Sequence, residues 1–273
     1  TGRRQKTFWH GNVSRSQHRV KFTFLGTGTS SGVPVLGCQC KVCQSKDPHD
    51  NRRRTSGLLE TPSTRILIDC GPDLREQLMP VEFRQITGVL LTHQHYDHVG
   101  GLDDLRPYCK FGDIDIYGNE TTVRNVKHNF PYCFVEHLYP GVPKLRMHVI
   151  EPHKAFSIGD IPVMPIEVMH ASLPILGYRF GNFAYITDMK SINDSEFPYL
   201  RGIDTLVVNA LRWEKPHQSH ILVSEAIAFS QKTGARTTYL THLTHDIGLH
   251  QEAEKRLPAG FHFAYDGLQI NVR

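Results

Sequence analysis

The chain has 273 residues, of which 39% are hydrophobic and 21% charged, and its 31 Lys+Arg against 27 Asp+Glu give a net charge of +4. These proportions are those of an ordinary globular α/β domain, and no apolar run approaches the roughly 20 residues of a membrane-spanning helix. The mild basic excess permits an anionic ligand without demanding one, and the basic run at 52–54 is too short to make a nucleic-acid-binding stripe.

Residues 1–19 are polar and basic and lack the apolar core of a secretory signal. They are expected to form an N-terminal tail with no catalytic role, ahead of one domain over 20–273, and a cytoplasmic location with no membrane partner is expected. "VKFTFLG" (20–26) alternates as a strand does and runs into the glycine-rich loop "GTGTSSGVPVLG". "RILIDCG" (65–71) and "ITGVLLTHQH" (86–95) read as buried strands, and a short helix is expected after "HVGGLDDLRPYC". "DIDIYG" (113–118) is a strand, and residues 119–140 are aromatic and helix-like.

"IPVMPIEVMH" (161–170) and "LGYRFGNFAYITD" (176–188) are β segments, the second folded as a hairpin about Gly181-Asn182. "DTLVVNA" (204–210) is a buried strand, "HILVSEAIAFSQKTG" (220–234) a helix stopped by glycine, and "RTTYLTH" (236–242) a strand. A short amphipathic helix at 250–258 and an alternating β segment at 261–272 close the chain. No repeat or linker divides it. Two strand-rich halves that each carry helices suggest an α/β fold with two sheets face to face and helices outside.

The chemistry concentrates in "THQHYDHVGG", which places His93, His95, Asp97 and His98 directly after an apolar strand. In an extended strand end, residues two apart face the same way, so His93 and His95 can approach one metal. After a turn, Asp97 and His98 can reach a second position. Imidazole and carboxylate suit zinc, manganese or iron. Cysteines at 38, 40 and 43 crowd into "CQCKVC", too close for an easy mutual disulfide, and this spacing reads as metal binding in a reducing compartment. Cys70, Cys109 and Cys133 read as small buried hydrophobes.

The HxHxDH motif resembles the signature of the metallo-β-lactamase-fold hydrolases, and the resemblance runs from Val20 onward because the family's other motifs follow in order. It implies an αββα sandwich of two mixed β-sheets flanked by helices. It also implies two catalytic divalent metals, manganese or zinc: one on His93, His95 and His170, a second on Asp97, His98 and His242, and Asp188 bridging them. A carboxylate can span two cations roughly 3.5–4 Å apart, and a hydroxide held between them would be the nucleophile. Asp69 fits the family's strand-end aspartate and is expected to orient a histidine ligand.

The cysteines bring the chain close to the phosphoribosyl 1,2-cyclic phosphate phosphodiesterase branch of the phosphonate pathway. There a Cys-x-Cys-x-x-Cys loop shares a structural zinc with a histidine three residues after the last catalytic one. Cys38, Cys40, Cys43 and His245 match that pattern. "QSHILVSEA" resembles the histidine motif of ribonuclease Z, which makes His220 a general acid or phosphate ligand, with His217 as its competitor. Asp97 and His220 are thus the candidate catalytic residues, Asp97 also as a ligand. The arginines at 52–54 could clamp a phosphate or serve the fold, and are not counted as site residues.

The function this implies is a dinuclear phosphodiesterase for a small or cyclic phosphodiester, such as a phosphoribosyl cyclic phosphate or a nucleotide. A homodimer is compatible with it. The alternatives are a ribonuclease Z-like tRNA 3′ endonuclease and a lactone or thioester hydrolase of the same fold. No long basic, glycine-rich arm is present to grip tRNA, so nucleic acid is not the favoured partner. A zinc-stabilised binding domain without catalysis would not need an aspartate at the bridging position.

Overall fold

The computed structural model describes residues 20–135 and 141–272. The tail expected at 1–19 and the end of the helix-like stretch, at 136–140, lie outside the described residues. The first half of the chain supplies strands β1 (Val20–Gly26), β2 (Ser56–Glu60), β3 (Arg65–Ile68), β4 (Gly88–Leu90), β5 (Ile114–Gly118) and β6 (Leu145–Val149). The second half supplies β7 (Phe156–Ile158), β8 (Ile161–His170), β9 (Leu173–Phe180), β10 (Phe183–Ile186), β11 (Thr205–Asn209), β12 (Thr237–Thr241) and β13 (Phe261–Phe263). The last strand, β14 (Gln269–Val272), returns to the first sheet.

The sheet orders are β14-β1-β2-β3-β4-β5-β6 and β13-β12-β11-β10-β9-β8-β7. Both are mixed. In the first, β3 to β6 run parallel; in the second, β10 to β13 do. Parallel strands need crossovers, and these carry the longer helices α3 (Glu120–Asn129) and α5 (Val223–Thr233).

Three apolar layers give the αββα order. Phe22, Phe24, Ile66, Leu90, Phe183, Tyr185 and Val207 fill the space between the sheets. Leu67, Val89, Leu91, Leu102, Leu105 and Val126 pack the first sheet against its helices. Leu206, Val208, Ala226, Phe229 and Leu240 do the same for the second sheet and α5. Neighbouring residues on a strand, such as Leu67 and Ile68, therefore enter different layers, and both are fully buried. That explains why these strands read as continuous apolar runs.

Several expectations are met. The hairpin about Gly181-Asn182 pairs Phe180 with Phe183, and Gly234 ends α5 in the left-handed conformation at φ 78°. Others are corrected. The β segment at 261–272 is two strands on opposite sheets, separated by a turn in which Gly267 has φ 88°. The helix expected after "HVGGLDDLRPYC" lies earlier, as a ten-residue 3-10 segment over Leu102–Phe111, followed directly by β5. Strands β2, β6 and β7 and the helices α1 (Leu74–Leu78), α2 (Tyr96–Val99) and α4 (Phe197–Leu200) were not foreseen, being short elements.

The topology decides where the chemistry sits. Asp69 follows β3, the HxHxDH segment follows β4, Asp188 follows β10 and His242 follows β12. The carboxyl ends of parallel strands from both sheets therefore meet along one edge of the sandwich.

Candidate metal centres

Strand β4 ends at Leu90, so His93 and His95 do not share a strand face as the spacing suggested. They meet through a loop instead: His95 is the N-cap of α2 (Tyr96–Val99), and His95 Nδ1 lies 3.0 Å from His93 Nε2. The first turn of α2 then carries Asp97 and His98 inward. His170 ends β8, and its ring packs 5.3 Å from that of His93 and 5.1 Å from that of His95.

The donor atoms form two groups joined by a third that takes one residue from each. His93, His95 and His170 make the first; Asp97, His98, Asp188 and His242 make the second, and Asp188 is also grouped with His170 and His220. Asp188 Oδ2 lies 3.3 Å from His98 Nε2, and its Oδ1 lies 3.0 Å from His242 Nε2. Asp97 Oδ2 lies 3.3 Å from His98 Nε2 and 3.7 Å from His242 Nε2.

The surroundings fix which ring nitrogens face the centre. His98 Nδ1 donates to Asp69 Oδ2 at 2.7 Å. Thr92 donates to both Asp69 oxygens, from its backbone N–H and its hydroxyl, each at 2.8 Å, and its hydroxyl lies 3.1 Å from His93 Nδ1. His170 Nδ1 donates to the Asp188 carbonyl at 2.7 Å. Each anchored imidazole is left with Nε2 free to ligate. Asp69 thus sits behind the site, as expected. Thr92, its partner, was missed; its only signal is a Thr immediately before HxHxDH.

Backbone strain marks the same residues. Asp69, Asp188 and His242 have φ of 57°, 57° and 55°. Non-glycine residues seldom adopt this left-handed conformation, and they persist in it where the surrounding structure over-determines them, often at functional sites. Glycine serves the other contacts. A Cβ on Gly71 would overlap the Asp97 carbonyl oxygen, and one on Gly101 would overlap the Gly71 carbonyl. The segment Asp69-Cys70-Gly71 is thereby pressed against α2, with Cys70 N–H bonded to the His98 carbonyl and Gly101 N–H to the Cys70 carbonyl.

This donor set fits divalent cations. His98 Nε2, both ring nitrogens of His242 and His220 Nδ1 are buried without a hydrogen-bond partner among the described residues, and such groups are rare unless something else satisfies them. Burial opposes charge on His98, yet the carboxylates of Asp188, Asp69 and Asp97 outweigh it and hold its pKa well above the usual histidine value. His242 is likewise opposed by burial and pushed up by Asp188 and Asp97, to about 9. The buried carboxylates call for positive charge at this position.

His220 lies three residues before α5 rather than at its start. It is buried beside the centre, with its ring 4.7 Å from that of His242 and 4.9 Å from that of His170. Burial and then the neighbouring His242 push its pKa down to about 3. His217 is exposed, with its ring 5.1 Å from that of His220.

A second group stands apart. Cys38, Cys40 and Cys43 place their Sγ atoms 3.4, 3.6 and 3.2 Å from His245 Nδ1. A tetrahedral zinc with ordinary Zn–S and Zn–N lengths would separate such atoms by about 3.5 Å. Burial, and the two neighbouring thiols, push Cys43 up to about 11, so three thiolates here also call for a cation. Of the other cysteines, Cys70 and Cys133 are buried as expected and Cys109 is partly exposed. In the basic run, Arg52 is buried and donates to Thr27, Ala264 and His250, so it serves the fold. Arg54 pairs with Asp73 at 2.8 Å.

Comparison with known proteins follows the same lines. The family model described as "Beta-lactamase superfamily domain" matches residues 64–243, from just before β3 to just past His242. A crystal structure of a diphosphatase from the PhnP family superposes with a TM-score of 0.86 at 40% identity, covering 93% of this chain and 97% of that one. A protein of Porphyromonas gingivalis named octanoyltransferase is 43% identical over 254 residues, which are 93% of this chain and 52% of that protein. Ribonuclease Z of Thermosynechococcus vestitus is 32% identical over 168 residues, 59% of this chain and 36% of the enzyme. The chain thus spans about half or less of the length of these two curated relatives. With the two-sheet sandwich, the HxHxDH turn and a match over most of its length to a PhnP-family structure, this chain belongs to the metallo-β-lactamase superfamily of metal-dependent hydrolases.

Proposed function

We propose that the chain is a phosphodiesterase with a dinuclear metal centre, acting on a small phosphodiester or diphosphate. The observation that carries this reading is the placement of Asp188, whose carboxylate is grouped both with Asp97, His98 and His242 and with His170 of the neighbouring trio. His93, His95 and His170 would hold one cation, Asp97, His98 and His242 the other, and Asp188 would belong to both. When bound, two such cations polarise a phosphoryl oxygen and lower the pKa of a water molecule.

The rest is done by the chain. Asp69 and Thr92 hold His93 and His98 in the tautomers that turn Nε2 inward. Burial and the neighbouring His242 favour the neutral form of His220. A neutral imidazole donating one ring N–H fits a phosphate ligand better than the general acid. His217, exposed, is the remaining candidate for protonating a leaving group. Cys38, Cys40, Cys43 and His245 would hold a structural zinc that braces the loop. A thiolate-held zinc of this kind suits a reducing, cytoplasmic setting.

The name of the Porphyromonas relative raises a second reading, cleavage of a thioester, since the same centre can act on carbonyl carbon. The ribonuclease Z relative raises pre-tRNA. One panel separates them: protein loaded with manganese or zinc is offered bis(p-nitrophenyl) phosphate, a dinucleoside diphosphate, an octanoyl thioester and precursor tRNA. Turnover of the first two supports the proposal. Thioester or tRNA cleavage without them replaces it.

A further inference from the structure

We propose that Lys190 and Arg212 form a cationic clamp for a second phosphoryl group next to the scissile one, so that the preferred substrate is a diphosphate diester. This rests on the phosphodiesterase reading above and names its substrate class.

The two cations flank the segment that carries His217 and His220. Lys190 lies two residues beyond Asp188, past the end of β10, and its Nζ donates to the His220 carbonyl at 3.3 Å. Arg212 lies three residues beyond Asn209, the last residue of β11. The backbone beside Arg212 is paired with the segment that follows His220: Leu211 N–H donates to the Ile221 carbonyl at 2.9 Å, and Val223 N–H to the Arg212 carbonyl at 3.0 Å. Arg212 Nε donates to the Lys215 carbonyl at 2.9 Å. Both charges are felt at His217, whose pKa is lowered by burial, then by Arg212, His170 and Lys190.

Each cation has one acid nearby, but neither pair is short. Lys190 Nζ stands 3.6 Å from Glu225 and Arg212 Nη1 3.4 Å from Asp246, against 2.7–2.9 Å for a charge-assisted hydrogen bond. Those acids are partly solvent-exposed, and pairs of this kind are weak. The cations are positioned mainly by backbone carbonyls and keep donors available to a ligand.

The charge balance explains the need. In a diphosphate diester each phosphoryl group carries one negative charge at neutral pH. Cations held by His93, His95, His170, Asp97, His98, Asp188 and His242 would answer the charge of the group under attack. The second charge needs partners of its own beside the centre, and on the His220 side the proposal gives that role to Lys190 and Arg212. In the reaction, the oxygen of water bonds to one phosphorus and the bridging P–O bond breaks. The bridging oxygen stays with the other phosphate, and the two protons of water go to the product phosphates or to solvent.

The test uses the metal-loaded protein, with Lys190→Ala, Arg212→Ala and the charge-keeping Lys190→Arg. The ratio of kcat/KM on a dinucleoside diphosphate to that on bis(p-nitrophenyl) phosphate should exceed one in the wild type. It should fall about tenfold in each alanine variant, the scale of one hydrogen bond to a charged group, and partly recover in Lys190→Arg. Inorganic pyrophosphate should inhibit the unaltered protein more strongly than inorganic phosphate. An unchanged ratio in soluble variants, or equal inhibition by the two anions, overturns the clamp. Failure of the wild type on both substrates overturns instead the reading on which it rests.

Discussion

His242 and His245 are three residues apart and belong to different clusters: His242 Nε2 lies 3.0 Å from Asp188 Oδ1, while His245 Nδ1 lies 3.2 Å from Cys43 Sγ. The left-handed turn at His242 separates them. Between them, Leu243 N–H donates to the Thr27 carbonyl at 2.9 Å and its carbonyl accepts from Thr29 N–H at 3.1 Å. The peptide that ends β12 thus ties the glycine-rich loop, and the cysteines that follow it, to the floor of the site.

Gly71→Ala should damage the centre without altering a ligating side chain. Its Cβ would collide with the Asp97 carbonyl, which is backbone and cannot swing aside. We expect a lower melting temperature, a cost of about 1–3 kcal/mol for overpacking, and weakened metal retention. A variant with wild-type Tm and metal content would show that α2 is not braced by this strand end.

Asp69→Asn keeps the shape of the side chain but removes the charge that holds His98 Nδ1–H. It also turns an amide donor toward a Thr92 group that now donates to Asp69. Loss of such a supporting carboxylate costs 10–100-fold in metal affinity. Chelator competition on wild type and variant measures it, and equal affinities would remove Asp69 from its positioning role.

The segment that follows the cysteine loop has a separate acid-sensitive anchor. His250 accepts a hydrogen bond from Arg52 Nη2 at 3.2 Å, and burial, then Arg52, push its pKa down to about 4. An unfolded chain protonates this histidine near 6.5. Its neutral form therefore contributes stability that is present above pH 6.5 and lost as pH falls toward 4. The stability difference between wild type and His250→Gln should shrink across that window in denaturant titrations. A difference that stays constant from pH 7 to 4 would assign the acid sensitivity elsewhere.

The sequence pointed to most of the candidate ligands because metal ligation needs particular side chains at particular offsets, and HxHxDH and CxCxxC are short, local patterns. It also carried the long strands and α5, whose apolar runs and glycine stop are local signals. It could not carry the way these residues meet. His93 and His95 converge through a loop and an N-cap rather than a strand face. The left-handed turns at Asp69, Asp188 and His242 are imposed by tertiary packing on residues whose own preference lies elsewhere. Thr92, Lys190 and Arg212 gain meaning only from neighbours distant in the chain. The split of 261–272 between two sheets depends on a turn whose flanking strands both look β-like in isolation.

Metal content per chain, measured by mass spectrometry on wild type, His242→Ala and His245→Ala after saturation and desalting, tests the account most directly. Three ions are expected in the wild type. His245→Ala should lose the thiolate-bound zinc and retain the centre at Asp188, with turnover falling only through loosening of the loop. His242→Ala should keep the thiolate-bound zinc, lose an ion from the Asp188 centre and abolish turnover. Loss of the same ion in both variants would contradict the assignment of the two histidines to separate sites.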